Sequence, residues 1–438
     1  MSRKVQFLAS PGGRLQGVVR VPGDKSISHR SIMLGSLAEG ITRVSGFLEG
    51  EDSLATLRAF RAMGVEIDGP QDGRVTIRGV GMSGLKAPGG PLDLGNSGTS
   101  MRLMSGLLAG QGLDVTLVGD RSLSGRPMKR VTEPLATMGA QIETAEGGTA
   151  PLHIRPVAGL EGMHYEMPIA SAQVKSCLLL AGMYAKGETC VTEPAPTRDH
   201  TERMLQGFGY EVRRAGNRVC LRGGGSLQAC DIDVPADISS AAFFLVGASI
   251  APGSDLLLEH VGMNPTRDGV INILRLMGAD IEVSNAREVG GEPVADLRVR
   301  SAPLKGIRIP QNQVPLAIDE FPVLFIAAAC AQGETVLTGA EELRVKESDR
   351  IQVMADGLGA LGVDARPTAD GILIRGGGIG GGRVDSHGDH RTAMAFSMAA
   401  LRASGDIVID DCANVDTSFP RFVELASRVG SQLVSRHV

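Results

Sequence analysis

Tryptophan is absent from this 438-residue chain, tyrosine occurs three times, and aromatic residues together make up only 3%. Cores must therefore be built from aliphatic side chains and from the 17 methionines. The same scarcity argues against a protein that stacks nucleobases on aromatic rings. A basic excess is missing too: 44 Lys and Arg face 49 Asp and Glu, for a net charge of −5. Nothing here would grip a polyanion along its length. Any anion partner is expected to be a small molecule bound locally, with no nucleic acid and no membrane involved. No run of about 18 apolar residues offers a membrane span. The opening stretch MSRKVQFLASPGG lacks the apolar core of a signal peptide, so a cytoplasmic protein is expected. The six cysteines (Cys177, Cys190, Cys220, Cys230, Cys330, Cys412) contain no C-x-x-C pair. They read as core filler, neither a zinc site nor a disulfide framework.

What the chain does have is a globular composition, 42% hydrophobic and 21% charged, over a length that calls for two large domains or about three smaller ones. It also repeats itself. An apolar helix, a glycine and an apolar strand recur at AMGVEI (62–67), TMGAQI (137–142), GFGYEV (207–212), LMGADI (276–281), ALGVDA (360–365) and RVGSQL (428–433). A second glycine series, Gly40, Gly112, Gly187, Gly253, Gly333 and Gly405, closes another helix in each unit. Two interleaved series with a common period of about 72 residues predict six structural repeats, with each glycine as a left-handed helix stop. The closing strands of the first five units end alike, as in VTIRG (75–79) and ILIRG (372–376). The sixth lacks one, and LQGVVRV (15–21) has the composition to supply it, so the first twenty or so residues are expected to pack with the last repeat. One helix in each unit is amphipathic, and the other is apolar nearly all round and must be buried. Three units per domain is the economical packing. This sets the expected domains at residues 1–22 plus 237–438 and at 23–236, linked by two short strands that could act as a hinge.

Polar residues gather where the buried helices begin. Ser, Asn and Asp there are preferred N-caps, and capping accounts for Asp237 and Asp389. It does not account for Lys25, Arg30, Gln173, Lys175 or Arg391, because cations oppose the helix dipole at an N-terminus. Amide dipoles and cations at the same end make a small-anion site. Two loops add to the pattern, Gly125-Arg126-Pro127 and Arg344-Val345-Lys346-Glu347-Ser348-Asp349-Arg350, the latter opening the fifth unit's amphipathic helix. The glycine clusters at 376–378 and 380–382 are expected to form a hairpin turn and not a phosphate loop. His387 and His390 have metal-ligand spacing but no third ligand nearby.

Pro22-Gly23-Asp24-Lys25-Ser26-Ile27-Ser28-His29-Arg30 resembles the first signature of the 5-enolpyruvylshikimate-3-phosphate synthases. Leu94-Gly95-Asn96-Ser97-Gly98-Thr99-Ser100-Met101-Arg102 and the segment from Arg344 to Arg350 resemble two more. Gly125-Arg126-Pro127, Ser171-Ala172-Gln173, Ile318-Asp319-Glu320 and Asp389-His390-Arg391 fit the same family, so the resemblance spans the whole chain. It implies an α/β (α+β) enolpyruvyl transferase fold: six βαβαββ repeats, three per domain, buried helices parallel within each domain, and an active site in the cleft between the domains. It also implies transfer of the enolpyruvyl group of phosphoenolpyruvate to the 5-hydroxyl of shikimate 3-phosphate. A monomer without cofactor is expected, and no metal, because cationic side chains already supply the charge and no ligand cluster stands in the sequence. By this resemblance Asp319 is the base, Glu347 the proton donor, and Lys25 assists. Lys25, Ser26, Arg30, Ser171, Ala172, Gln173, Arg198, Asp319 and Lys346 would bind shikimate 3-phosphate. Lys25, Gly98, Arg126, Gln173, Arg350 and Arg391 would bind phosphoenolpyruvate.

The chain departs from the family pattern in two places. Asp416 stands where many members carry a lysine before the Thr-Ser-Phe-Pro turn, and Glu342 stands where one branch has asparagine. The related transferases acting on UDP-N-acetylglucosamine are the nearest rival. They usually show Lys-Asn in place of Lys25-Ser26 and a reactive cysteine before Arg126, whereas residues 119–125 contain none. A non-catalytic repeat scaffold is the rival of another class, and it would not need cations at equivalent repeat positions.

Overall fold

A computed structural model describes residues 5–437. They fall into two compact units. One runs to Pro22 and resumes over Pro235–Glu288 and from Glu292 onward; the other is Gly23–Val234 with Val289–Gly291. Ala236 bridges in parallel to Val261, which places Pro235 and Ala236 with the residues that follow them.

Each unit is organised around three buried helices. In the Gly23–Val234 unit these are α1 (Lys25–Leu37), α2 (Gly98–Ala109) and α3 (Ala172–Gly182). In the other they are α4 (Ile238–Ile250), α5 (Phe321–Cys330) and α6 (His390–Ala399). Every residue of α4 and of α6 is buried, as expected for helices with no polar stripe. Phe243, Phe244, Phe325, Phe396, Phe419 and Phe422 fill the core around α4–α6, so more than half of the 11 phenylalanines sit in one cluster. The core around α1–α3 relies on Leu and Met, among them Met33, Met104, Leu107 and Leu178. No helix among the described residues is long and apolar enough to cross a membrane.

The glycine punctuation takes the expected form at eleven of twelve positions. Gly64, Gly139, Gly209, Gly278, Gly362 and Gly430 have φ between 81° and 118°, and Gly40, Gly112, Gly187, Gly253 and Gly333 also lie in the left-handed region. Gly405 does not. There α6 runs into a 3₁₀ turn, Ala400–Arg402. A side chain at Gly405 would instead meet the backbone of Gly381 at 3.3 Å, a tight contact to which that backbone would have to yield.

The fifth repeat builds a three-stranded sheet whose leading place is marked only by the parallel bridge of Arg308 with Val336, and the other five build four-stranded sheets of like order. A short leading strand runs parallel to the next one, which then pairs antiparallel with the closing strand. In the third repeat His164–Glu166 leads Glu188–Thr192, which pairs with Arg218–Arg222. The first repeat borrows its leading strand, Ile232–Asp233, from the end of the third. The N-terminal segment serves two sheets, and here the expected strand is corrected. Val5–Gly13 inserts between Ile407–Asp410 and Ser431–His437 and completes the sixth sheet. Gln16–Val19, within the stretch expected to do so, instead leads the fourth sheet beside Asp255–Gly262. The glycines at 376–382 form no hairpin: Ile372–Arg375 and Gly382–Asp385 belong to different sheets. The core-filler reading of the cysteines also fails for one pair. Cys190 and Cys220 lie opposite each other on antiparallel strands, with Cα atoms 4.1 Å apart, and are disulfide-bonded. Cys177, Cys230, Cys330 and Cys412 are free.

His29 on α1 is fully buried, its Nδ1 lying 2.8 Å from Thr56 Oγ1. Burial, reinforced by Lys25 and Arg30, holds its pKa well below the ordinary value. The folded chain thus keeps this imidazole neutral where the unfolded chain would protonate it, below about pH 6.5. The contribution is present above that pH and is lost as pH falls, by up to about 1.4 kcal/mol per unit. We predict that His29→Asn flattens the decline in melting temperature between pH 7.5 and 5.5. Identical slopes for the two proteins would remove His29 from the acid response.

Candidate active site

The polar helix starts were expected to hold anions. In the Gly23–Val234 unit, Asp24 caps α1 by accepting from the Ile27 amide at 2.8 Å. Lys25 follows it, 19% exposed, with Nζ 3.0 Å from Asp52 Oδ2. Arg30 lies one turn further in and is buried. It donates to Thr201 Oγ1 at 2.7 Å, to the Ser26 carbonyl at 2.8 Å and to Ser176 Oγ at 2.9 Å, which ties α1 to α3. Ser97 caps α2 and Ser171 caps α3. Gln173 accepts from Arg102 at 2.7 Å and donates to Thr99 Oγ1 at 3.1 Å, so the starts of α2 and α3 are locked together. Arg126 is oriented from the neighbouring loop by Asn96 Oδ1 at 2.7 Å. A methyl group on Gly98 would meet Arg102 Nη1 at 3.0 Å and Arg126 Nη1 at 3.1 Å. The structure thus brings Gly98, Arg126 and Gln173 together. It adds Arg102, which sequence reasoning passed over although it ends the quoted second motif. Arg198 is half-buried in the loop before the helix His200–Gly207.

Lys175 corrects an expectation. It is fully buried and faces inward, 2.9 Å from Glu193 and 2.7 Å from Glu202, with the Thr197 carbonyl at 3.5 Å. Its charge is spent within the fold, where it anchors the segment carrying Arg198.

In the other unit the cations and carboxylates form one network. Asp237 caps α4 and accepts from buried Arg267 at 2.9 Å. Asp389 caps α6 through the Arg391 amide and pairs with Arg350 Nε at 2.8 Å. Arg350 is 1% exposed and also reaches Glu347 at 2.6 Å and Asp319 at 3.4 Å. Burial alone would lower its pKa, but Asp389, Glu347 and Asp319 together raise it above the ordinary value. Asp389 is correspondingly held below the usual carboxylate range: burial pushes it up, and the charge of Arg350, its hydrogen bond and His390 together more than offset this. Lys346 lies 3.6 Å from Asp319 and 3.6 Å from Glu342. Arg391 donates to the Asp319 carbonyl at 3.0 Å. The helix after this loop begins only at Arg350, so Lys346 and Glu347 lie in the bend before it and not on a helical face. Asp319 does not start α5; Glu320 holds the N-cap position without a side-chain cap bond. Asp319, Lys346, Glu347, Arg350 and Arg391 thus converge, a set able to hold anions and exchange protons. Asp416 is exposed in the 3₁₀ turn Ala413–Thr417, and His387 is exposed while His390 is buried.

The sequence profile of EPSP synthase (3-phosphoshikimate 1-carboxyvinyltransferase) matches residues 9–425. The chain belongs to the EPSP synthase family. A relative from Methylococcus capsulatus named 3-phosphoshikimate 1-carboxyvinyltransferase is 73% identical, covering 98% of each chain. One of the same name from Alkalilimnicola ehrlichii is also 73% identical, covering 98% of this chain and 96% of its own. Among solved structures, the EPSP synthase of Acinetobacter baumannii superposes with a TM-score of 0.89 at 59% identity, covering 99% of this chain and 100% of that one. The enolpyruvyl transferase NikO of Streptomyces tendae, at 17% identity and a TM-score of 0.79, shares the fold.

The buried Lys175 cluster yields a direct test. Removing the ammonium leaves buried Glu202 without its ion pair and Glu193 with Arg214 alone, 3.3 Å away, at a cost of about 3–5 kcal/mol. We predict that Lys175→Met loses stability of this order in urea unfolding. A variant as stable as the parent would show that the charge is dispensable.

Proposed function

We propose that the chain transfers the enolpyruvyl group of phosphoenolpyruvate to the 5-hydroxyl of shikimate 3-phosphate, releasing phosphate, a step toward chorismate and the aromatic amino acids. The observation that carries this reading is the match to relatives named for this reaction, 73% identical over 98% of the chain. The placement of charge supports it. Both substrates are anions; Lys25 and Arg391 lie at the starts of buried helices, Arg126 in a loop beside the start of α2, and Arg350 at the start of the helix Arg350–Ala360. Lys25, Ser26, Arg30, Ser171, Ala172, Gln173, Arg198, Asp319 and Lys346 serve shikimate 3-phosphate. Lys25, Gly98, Arg126, Gln173, Arg350 and Arg391 serve phosphoenolpyruvate.

The reaction is an addition followed by an elimination. Asp319 takes the proton of the 5-hydroxyl as its oxygen attacks the enol carbon, and Glu347, with Lys25 assisting, delivers a proton to the methylene carbon. The tetrahedral intermediate then loses a methyl proton and phosphate, with the two roles reversed. Arg102 acts as a positioning residue, since it orients Gln173. The reading that takes UDP-N-acetylglucosamine as acceptor is not favoured.

Phosphate release from phosphoenolpyruvate, measured with shikimate 3-phosphate and with UDP-N-acetylglucosamine, tests the assignment. Release with the first acceptor is expected, and release with the sugar nucleotide alone would overturn it. Asp319→Asn keeps the shape and removes the proton acceptor, so turnover should fall by at least about a hundredfold with little change in melting temperature. Turnover within a few-fold of the parent would transfer the base role elsewhere. Gly98→Ala pushes only on the flexible ends of two arginines. It should leave stability nearly unchanged, raise the KM for phosphoenolpyruvate and weaken a bulkier competitor such as glyphosate more strongly. Equal losses for both ligands would show that the methyl group does not discriminate between them.

A further inference from the structure

The third repeat's sheet carries a group of donor side chains that no step above uses. Cys190 pairs in register with His164 on the parallel strand to one side and with Cys220 on the antiparallel strand to the other. Side chains directly opposite one another share a face, and Glu188, two residues before Cys190, shares it as well. The other face of the same strands, with Val191, Val219 and Leu221, is in the core. A ring nitrogen of His164, a carboxylate oxygen of Glu188 and Cys190 Sγ all lie within 4.8 Å of one another. Ligands around a tetrahedral zinc ion sit about 3.3–3.8 Å apart, as bond lengths of about 2.0–2.3 Å require. Small side-chain rotations close the difference. Cys220 Sγ, bonded to Cys190 Sγ, supplies a fourth donor once that bond is broken.

We propose that the reduced Cys190–Cys220 pair, completed by His164 and Glu188, is a binding site for a soft divalent cation such as zinc. A dithiol reductant breaks the sulfur–sulfur bond by supplying two electrons and two protons, and is itself oxidised to a disulfide. The cation then displaces the two thiol protons and binds both thiolates, one imidazole nitrogen and one carboxylate oxygen. Arg218 donates to His164 at 2.7 Å, and Arg213 pairs with Glu188. The cation takes over both contacts, and the arginines offset the charge of its anionic ligands. Disulfide and metal ion are thus alternative cross-links of the same two strands. No C-x-x-C spacing announces the site, because the donors lie on three strands between residues 164 and 220 and meet only through sheet register.

The test titrates the full chain with cobalt(II), once oxidised and once reduced with a dithiol that is then removed without air. The reduced chain should take up one equivalent with thiolate-to-cobalt charge transfer and tetrahedral ligand-field bands, zinc should displace it, and the oxidised chain should show neither. Cys220→Ser should cut the charge-transfer signal to about half or less despite the other cysteines. The surface variants His164→Ala and Glu188→Ala should each weaken binding roughly tenfold or more. A reduced chain without the charge-transfer band, equal uptake by oxidised chain, an unchanged signal in Cys220→Ser, or unfolding on reduction alone would each overturn the proposal.

Discussion

A helix with no continuous polar face cannot lie on a surface, and six such helices are buried among the described residues. That constraint governs the rest of the structure. Each buried helix needs sheets around it, three such helices share one core, and only their ends remain for polar chemistry. The amides exposed at those ends draw in capping serines and aspartates, and the cations collect around the caps.

Holding cations in such places is costly unless each is compensated. The fold uses carboxylates twice over to do this. Asp389 both caps α6 and pairs with Arg350, and Asp237 both caps α4 and pairs with Arg267. Arg350 touches three carboxylates at once, so its position does not depend on any single one. Lys175 shows the same logic turned inward, where two glutamates fix a lysine to hold a loop in place.

The fold class and the helix stops were legible because they rest on local periodicity and on glycine, whose backbone preference travels with the residue. Strand partnership was less so. Residues 5–13 and 15–21 are both rich in strand formers, and only pairing with strands some four hundred residues away decides which one completes the sixth sheet. Spacing brought Lys25, Arg126, Asp319 and Arg350 into view but could not say which way a side chain points, and so Lys175 read as a cation facing a ligand. Arg102 went unnoticed because a cation inside an apolar helix carries no signal until its partner, Gln173, is seen. The Cys190–Cys220 bond was hidden for the same reason, register being a property of the assembled sheet.

The two ends of the chain meet in one sheet, Val5 opposite His437. A ribosome makes the chain from one end, so the two units mature at different times. Residues 23–234 contain every strand of their own three sheets, including the borrowed Ile232–Asp233, and can close as soon as they emerge. In the other unit Gln16–Val19 finds its partner at Asp255–Gly262, but Val5–Gly13 must wait, unpaired on both edges, until Ile407–Asp410 and Ser431–His437 have been made. A free strand edge is a template for wrong partners, and Pro11, Gly12, Gly13 and Arg14 cut the strand-forming run of that segment short.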